Sequence, residues 1–214
     1  MSRVVVISGT PKARASVSGT IIGRLTQTLG TPVATYRATT LIRPQGMSTA
    51  LADIVDADVL VFVFPLYVDA LPAPLVNVLT QLERAFAAES NRPRVYAVCN
   101  CGFLDATHTR LALAMVESFC HRAGLAWRYG VGVGGGAFLA SQTANMAPGL
   151  AANVFAALDA LAHAIARGEG PRDNVFVQPR LPGVFYRLAA NADWRRQAKA
   201  HHADKMLKAR PYAT

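Results

Sequence analysis

The sequence predicts a three-layer α/β sandwich: helices cover both faces of a five-stranded parallel sheet in the order 2-1-3-4-5, and a C-terminal arm follows. Apolar runs of strand length alternate five times with longer segments of helical period, which is typical of consecutive β-α units. Residues 59–64 are apolar throughout, as expected for a central parallel strand buried on both faces. Right-handed crossovers then leave few topologies, of which the doubly wound order 2-1-3-4-5 is the obvious one.

Each element follows from a local pattern. The first strand is an apolar run that ends at a glycine turn, and a polar loop separates it from the first helix. Proline suits the first turn of a helix, and Pro72 opens a helix with one apolar stripe. The stripe consists of Leu75, Val78, Leu79, Leu82 and Phe86. The predicted strands cover residues 3–8, 32–36, 59–64, 94–98 and 127–133. The other predicted helices cover residues 18–29, 48–55, 106–122 and 148–166.

The chain divides into a domain of residues 1–170 and a basic arm of residues 171–214. The alternation stops after Gly170, where three prolines punctuate the chain, and a helix is expected after Asp193. We expect the arm to pack on the domain or on a partner subunit.

The arm carries most of the positive charge. The whole chain has a net charge of +9, and the arm has nine Lys and Arg against three Asp, which gives +6. A basic balance favours anionic partners such as phosphorylated cofactors, nucleic acid or a membrane surface, although a solvated tail explains it equally well. The arm lacks a sustained basic amphipathic pattern or interleaved aromatic residues, so no specific nucleic-acid partner is predicted.

Composition also bears on location and metal binding. The longest apolar stretch, residues 59–68, is about half the length of a membrane span, and no secretory signal is visible. We therefore expect a cytoplasmic protein. Cys99, Cys101 and Cys120 have neither disulfide-framework nor zinc-ligand spacing, so they are interpreted as buried small residues and no metal site is predicted.

The loop after the first strand, residues 8–20, has the composition of a phosphate-binding site. It precedes a helix, whose N-terminal N–H groups and dipole favour an anion. Its hydroxyls belong to Thr10, Ser16, Ser18 and Thr20. Lys12 or Arg14 would add charge-assisted hydrogen bonds. No Gly-Lys-Ser/Thr closes the loop, so nucleotide hydrolysis is not expected, and a solvated helix-capping turn is the alternative.

The loop after the third strand offers an apolar wall. Pro65 and Pro72 fix its backbone, while Leu66, Tyr67 and Val68 present apolar surface outside the sheet. A flat aromatic ligand would stack on such a wall. Packing against a neighbouring loop or a second subunit is the alternative.

The loops after the fourth and fifth strands contain glycines. Gly102 permits close approach of the backbone to a ring, and Asn100 supplies both a donor and an acceptor. The run at residues 130–136 contains Gly-x-Gly-x-x-Gly but follows the last strand instead of opening a β-α-β unit, so no dinucleotide site is predicted there. Gly135 is interpreted as close backbone packing beside the ligand site.

At these residues the sequence resembles the NAD(P)H-dependent FMN reductase branch of the flavodoxin-like superfamily. The matching pieces are residues 7–12 with Ser16 and Ser18, residues 57–59 running into Pro65-Leu66-Tyr67-Val68-Asp69, residues 100–103, and residues 181–194 of the arm. The resemblance covers most of the chain and implies a flavodoxin-like fold. It also implies an enzyme that passes electrons from NAD(P)H through bound FMN to a quinone, free flavin or similar small acceptor.

The resemblance assigns the cofactor contacts position by position. Phosphate contacts fall at Thr10, Ser16 and Ser18, and Val17 stands where related loops often carry Asn. The flavin ring and ribityl chain would meet Pro65, Leu66, Tyr67 and Val68 on one side and Asn100, Gly102 and Phe103 on the other. No catalytic acid or base is assigned, because hydride transfer to a flavin requires none from the protein.

Two other functions stay open. A flavodoxin-type electron carrier would show no pyridine-nucleotide activity, and its usual acidic surface contrasts with this basic chain. An interaction module without flavin would use the basic tail.

We expect a homodimer, because related reductases usually form their sites at a dimer interface and because Phe185, Tyr186, Leu188 and Trp194 need cover. An arm folded back on its own domain is the alternative.

Overall fold

The computed structural model describes residues 2–12, 15–139 and 149–209. The chain forms two compact units, Met1–Pro179 and Arg180–Thr214. The first unit holds the sheet and its flanking helices. The second unit holds one long helix and a short 3₁₀ turn at Asp204–Met206.

The sheet has six parallel strands in the order β2-β1-β3-β4-β5-β6. The strands are β1 (Val4–Ser8), β2 (Val33–Arg37), β3 (Val59–Pro65), β4 (Arg94–Asn100), β5 (Ala126–Val133) and β6 (Val175–Val177). The predicted order 2-1-3-4-5 is confirmed, and β6 is an addition. Residues 175–177 were expected in the arm, but they pair with Val131–Val133 of β5. A three-residue strand is too short to show a two-residue period in the sequence.

Eight α-helices flank the strands or follow them in the described residues. They are α1 (Val17–Leu29), α2 (Ala38–Leu41), α3 (Pro44–Val55), α4 (Ala73–Ala87), α5 (Arg110–Ala123), α6 (Gly136–Leu139), α7 (Ala152–Arg167) and α8 (Gly183–Ala200). A 3₁₀ turn at Ala106–Thr109 precedes α5, so the predicted helix 106–122 is divided in two.

Three predicted helix boundaries differ from the structure. The helix predicted at 48–55 begins at Pro44, since proline at the first turn extends it by one turn. The helix expected after Asp193 begins ten residues earlier, directly after Pro182. The predicted start at Pro148 lies outside the described residues, and α7 begins at Ala152.

Alternation along the strands divides the core into two layers. Val5, Ile7 and Phe62 point to the layer beneath α2–α5, while Val4, Val6 and Val61 point to the layer beneath α1 and α7. The first six residues of β3 are buried, because this central strand is covered on both faces. Each fully buried large apolar side chain contributes about 1.5–3 kcal/mol relative to exposure, so this sheet rigidly positions the loops at its ends.

None of the helices in the described part of the chain is both long enough and apolar enough to cross a membrane.

The second unit is helical. In α8, Asp193 accepts hydrogen bonds from the side chains of Arg196 and Gln197, one turn further along. The large apolar side chains of α8 include Phe185, Leu188 and Trp194, which are exposed. The packing of this arm on the domain or on a second subunit stays a prediction.

Candidate functional site

The carboxyl ends of β1, β3 and β4 bring three loops together. In the register of the sheet, Ser8 lies beside Val63, and Pro65 lies beside Asn100. Parallel strands that end at the same level deliver their loops to one edge, which is where open α/β sheets bind ligands. A cleft of about 130 Å³ opens there. Its lining consists of Thr10, Lys12, Ser16, Val17, Ser18, Pro65, Leu66, Tyr67, Asn100 and Gly102.

The N-terminus of α1 forms one wall of the cleft. Ser16 is the N-cap residue, and its Oγ accepts a hydrogen bond of 3.1 Å from the amide of Gly19. The amides of Val17 and Ser18 have no hydrogen-bond partner among the described residues. Unpaired N–H groups and the positive end of the helix dipole attract an anion.

Two cationic side chains stand near this wall. Lys12 is exposed at the mouth of the cleft. The Arg37 guanidinium, at the end of β2, donates a hydrogen bond of 2.5 Å to the Lys12 carbonyl oxygen. Arg37 was missed by the sequence analysis, although a basic residue at the end of the strand beside β1 was a usable signal. Arg14, predicted as a further cation, lies outside the described residues.

Asn100 links all three loops at the floor of the cleft. Its Oδ1 accepts a hydrogen bond of 2.9 Å from the Ser18 hydroxyl, and both side chains are buried. Its backbone oxygen accepts a hydrogen bond of 2.8 Å from the amide of Leu66. Among the described residues nothing accepts a hydrogen bond from its Nδ2, so the side-chain amide has donors left for a ligand.

The opposite wall is a tight turn at residues 67–70. Tyr67 and Ala70 exchange two backbone hydrogen bonds of 3.1 Å, and the turn between them has positive φ at Val68 (51°) and Asp69 (54°). A β-branched residue in this region is a true outlier and costs on the order of 1–3 kcal/mol. Tyr67 lines the cleft, whereas Val68 lies at the tip of the turn, outside the lining, with 98% of its side chain exposed.

The third loop contributes Gly102, which lines the cleft and faces open space. Phe103 does not line it. Its ring is 56% exposed and stacks on His108, with centroids 4.3 Å apart and an angle of 29° between the rings. Phe103 and His108 together form an aromatic edge beside the cleft.

The glycine run after β5 supports the third loop from behind. The amide of Gly135 donates a hydrogen bond of 2.6 Å to the Phe103 oxygen, and the amide of Gly136 donates one of 2.8 Å to the Cys101 oxygen. A Cβ on Gly134 would lie 2.0 Å from the backbone oxygen of Leu104, so only glycine fits there. Gly135 therefore supports the site through close backbone packing and does not line the cleft.

The cysteines near the site are held as neutral thiols. Cys99, Cys101 and Cys120 are free and buried, which confirms their interpretation as small core residues. Burial raises the pKa of Cys101 and raises the pKa of Cys99 well above its ordinary value. A neutral buried thiol is a poor nucleophile. Among the described residues no group of His, Cys, Asp and Glu could hold a metal ion.

A larger depression of about 520 Å³ lies at the opposite edge of the sheet, near Val4, Thr31 and Asp58. That edge holds the amino ends of β1 and β3, where parallel sheets do not present helix N-termini to a ligand. The smaller cleft at the carboxyl edge is therefore the better candidate.

No model of a known protein family matches the sequence, and no curated protein matches it. Solved structures do match the fold. FerB, a flavoenzyme NAD(P)H:(acceptor) oxidoreductase from Paracoccus denitrificans, aligns with a TM-score of 0.57 at 12% identity, over 78% of this chain and 96% of that chain. A putative quinone reductase from Klebsiella pneumoniae aligns with a TM-score of 0.55 at 14% identity, over 79% and 86% of the two chains. An FMN-dependent NADH-azoreductase from Bacillus anthracis, solved in complex with FMN, aligns with a TM-score of 0.53 at 13% identity, over 78% and 100%.

At these identities the likeness establishes the fold alone. The first unit is a flavodoxin-like α/β domain, as the sequence predicted.

Proposed function

We propose that this chain is an FMN-dependent oxidoreductase that passes electrons from NAD(P)H to a quinone or similar small acceptor. The observation that carries the proposal is the two-sided cleft: unpaired helix amides, hydroxyls and a lysine form one wall, and an apolar turn with Tyr67 forms the other. The names of the structural neighbours, which include FMN and NAD(P)H, support the same cofactors.

The residues present fit a phosphorylated ligand with a flat ring. Thr10 and Ser16 add hydroxyl donors to the free amides of α1, Ser18 holds the side chain of Asn100, and Lys12 adds charge. Among the described residues no acidic side chain lines the cleft, so no carboxylate there repels a phosphate. A cleft volume of about 130 Å³ is below the roughly 300–1,000 Å³ of a complete small-molecule site, so the cleft would hold the phosphate end and the apolar wall would support the ring.

The chemistry belongs to the cofactor, which when bound takes hydride from NAD(P)H and delivers the electrons to the acceptor. With a quinone the reaction consumes NAD(P)H, the quinone and one proton, and yields NAD(P)⁺ and the hydroquinone. The protein orients and shields the reacting ring. Tyr67 and Leu66 provide apolar surface that excludes water, and Asn100 Nδ2 donates to a ring or chain oxygen. No side chain is assigned as catalytic acid or base.

We also propose that the protein works as a cytoplasmic homodimer. The open side of the cleft and the exposed aromatic residues of α8 both favour a covering partner. Sedimentation velocity of the full chain would show a dimer, and a monomer at micromolar concentration would contradict this part of the proposal.

Steady-state NADPH oxidation tests the activity. Under nitrogen the FMN-loaded protein should oxidise at most about one NADPH per bound FMN without an acceptor, and should turn over further NADPH only when menadione is present, with one hydroquinone formed per NADPH. FMN binding without NADPH oxidation would identify an electron carrier instead. Failure to bind FMN would favour an interaction module that uses the basic arm.

A further inference from the structure

The turn between Tyr67 and Ala70 concentrates strain at one residue pair. Val68 and Asp69 have φ of 51° and 54°, and no other non-glycine residue in the described part of the first unit has a positive φ. A two-residue turn with positive φ at both positions is type I′, which favours Asn followed by Gly. Valine is a poor choice at the first position, since its branched Cβ disfavours left-handed backbone.

Packing within the chain does not explain why a valine occupies this position of the turn. Its side chain is 98% exposed, so it gains no burial that would offset the strained backbone. An apolar side chain held in strain and presented to solvent is explained by a contact with something outside the chain. The turn adjoins the cleft through Pro65, Leu66 and Tyr67, which places Val68 at the lip of the cleft.

We infer that Val68 is a specificity-determining residue that contacts a planar apolar electron acceptor when it docks over the cleft. This inference rests on the proposed function. The cleft lining includes Tyr67 but ends before Val68, so the valine lies on the solvent side of the apolar wall. The exposed ring of Phe103, on the loop after β4, adds apolar surface at the same edge of the sheet. An acceptor held by such surfaces is a neutral fused ring system such as a naphthoquinone.

The turn supplies a matched pair of variants. Val68→Asn removes the apolar side chain and relieves the strain, while Asp69→Gly relieves strain in the same turn and keeps the valine. Both substitutions move the turn towards its favoured Asn-Gly sequence, so both should raise the Tm by about 2–4 °C.

The acceptor test compares two neutral quinones, menadione and the smaller 1,4-benzoquinone, with NADPH as donor and FMN saturating. We expect the ratio of their kcat/KM values, menadione over benzoquinone, to fall about tenfold in Val68→Asn and to stay within about twofold of wild type in Asp69→Gly. The lower ratio should result mainly from a higher KM for menadione.

Several outcomes would overturn the inference. An unchanged kcat/KM ratio in Val68→Asn would show that the valine does not discriminate between the two quinones. An unchanged Tm would show that the valine does not strain the turn. Weaker FMN binding in Val68→Asn alone would assign the valine to the cofactor. Dissociation of a dimer in Val68→Asn alone, seen by sedimentation, would assign it to a subunit contact. A wild-type protein that binds no FMN would instead defeat the proposed function itself, and the inference with it.

Discussion

Ser18 has two uses at the N-terminus of α1. Its hydroxyl fixes the side chain of Asn100 by donating to Oδ1, and its backbone amide is one of the N–H groups of the first helical turn without a partner among the described residues. Removing the hydroxyl therefore leaves a buried amide oxygen without its partner and releases the Asn100 side chain, which lines the cleft. An unsatisfied buried group costs about 1–3 kcal/mol.

Ser18→Ala should weaken FMN binding about tenfold, which corresponds to about 1.4 kcal/mol, and lower the free energy of unfolding by about 1–2 kcal/mol. Quenching of flavin fluorescence measures the first, and urea denaturation measures the second. Ser48→Ala is the control, because the Ser48 hydroxyl is exposed on α3 and donates only to the Gln45 oxygen. Equal FMN affinity in Ser18→Ala and Ser48→Ala would exclude Ser18 from the site.

At the residue scale, the sequence predicted which polar side chains meet at one cleft but not the conformation of the turn, and the contact of those side chains with a cofactor stays a prediction. Thr10, Ser16, Ser18 and Asn100 were found because loops after neighbouring parallel strands converge. The positive φ of Val68 could not be predicted, since valine argues against the conformation that it adopts. The stacking of Phe103 on His108 could not be predicted either, because His108 lies in the 3₁₀ turn at Ala106–Thr109, which the sequence did not separate from the following helix.

At the scale of elements, α1 is held against α7 by one polar cluster. The Arg24 guanidinium donates to both carboxylate oxygens of Asp159, at 2.7 and 2.5 Å, and the Thr28 hydroxyl donates to the same carboxylate at 2.8 Å. The hydrogen bonds from Arg24, and then from Thr28, lower the pKa of Asp159 despite partial burial. Because the N-terminus of α1 forms one wall of the cleft, this cluster also positions the candidate site.

The depressed pKa sets the direction of a pH effect. The unfolded carboxyl, with a pKa near 3.8, binds protons more readily than the folded one, so the stabilisation is complete above that pH and is lost as the pH falls through the lower folded pKa. Asp159→Asn should lower the free energy of unfolding by about 1.5–3 kcal/mol at pH 7, and the difference from wild type should shrink below pH 3.8.

Urea denaturation across a pH series measures this difference. Glu83→Gln is the matched control, because Glu83 pairs with Arg122 between α4 and α5 on the exposed surface and should have a much smaller effect. A difference between Asp159→Asn and wild type that does not change with pH would contradict the assigned ion pair.

Element prediction succeeded where a pattern was long. The five main strands and the helices beneath them have several turns or alternations each, and the structure confirms their presence. The short elements α2, α6 and β6 were missed, because three or four residues do not establish a period. Their existence depends on tertiary pairing, as in the hydrogen bond of 2.9 Å from the Gly134 amide to the Val177 oxygen.

At the scale of the whole molecule, the boundary between the units falls at Pro179. Residues 174–178 are hydrogen-bonded to the sheet and to the 3₁₀ turn before α5, so they belong structurally to the first unit. Asn174 accepts from the Gly130 amide at 2.7 Å, and Gln178 accepts from the Ala106 amide at 3.2 Å. The sequence placed the boundary at residue 170 because the regular alternation stops there.

Two truncations distinguish these boundaries. A chain ending at residue 179 keeps all six strands, so it should keep the fold and bind FMN. A chain ending at residue 170 loses β6 and several hydrogen bonds worth about 1 kcal/mol each, so its Tm should fall by at least about 5 °C. Circular dichroism melts measure both. Equal Tm values for the two truncations would contradict the structural role of β6.

The most direct test of the central claim is the visible absorbance spectrum of the full-length protein. The protein is mixed with FMN, passed through gel filtration and measured under nitrogen before and after NADPH is added. We expect about one FMN retained per chain and bleaching of the flavin band by NADPH. A protein that emerges colourless, or one whose flavin band NADPH leaves unchanged, would contradict it.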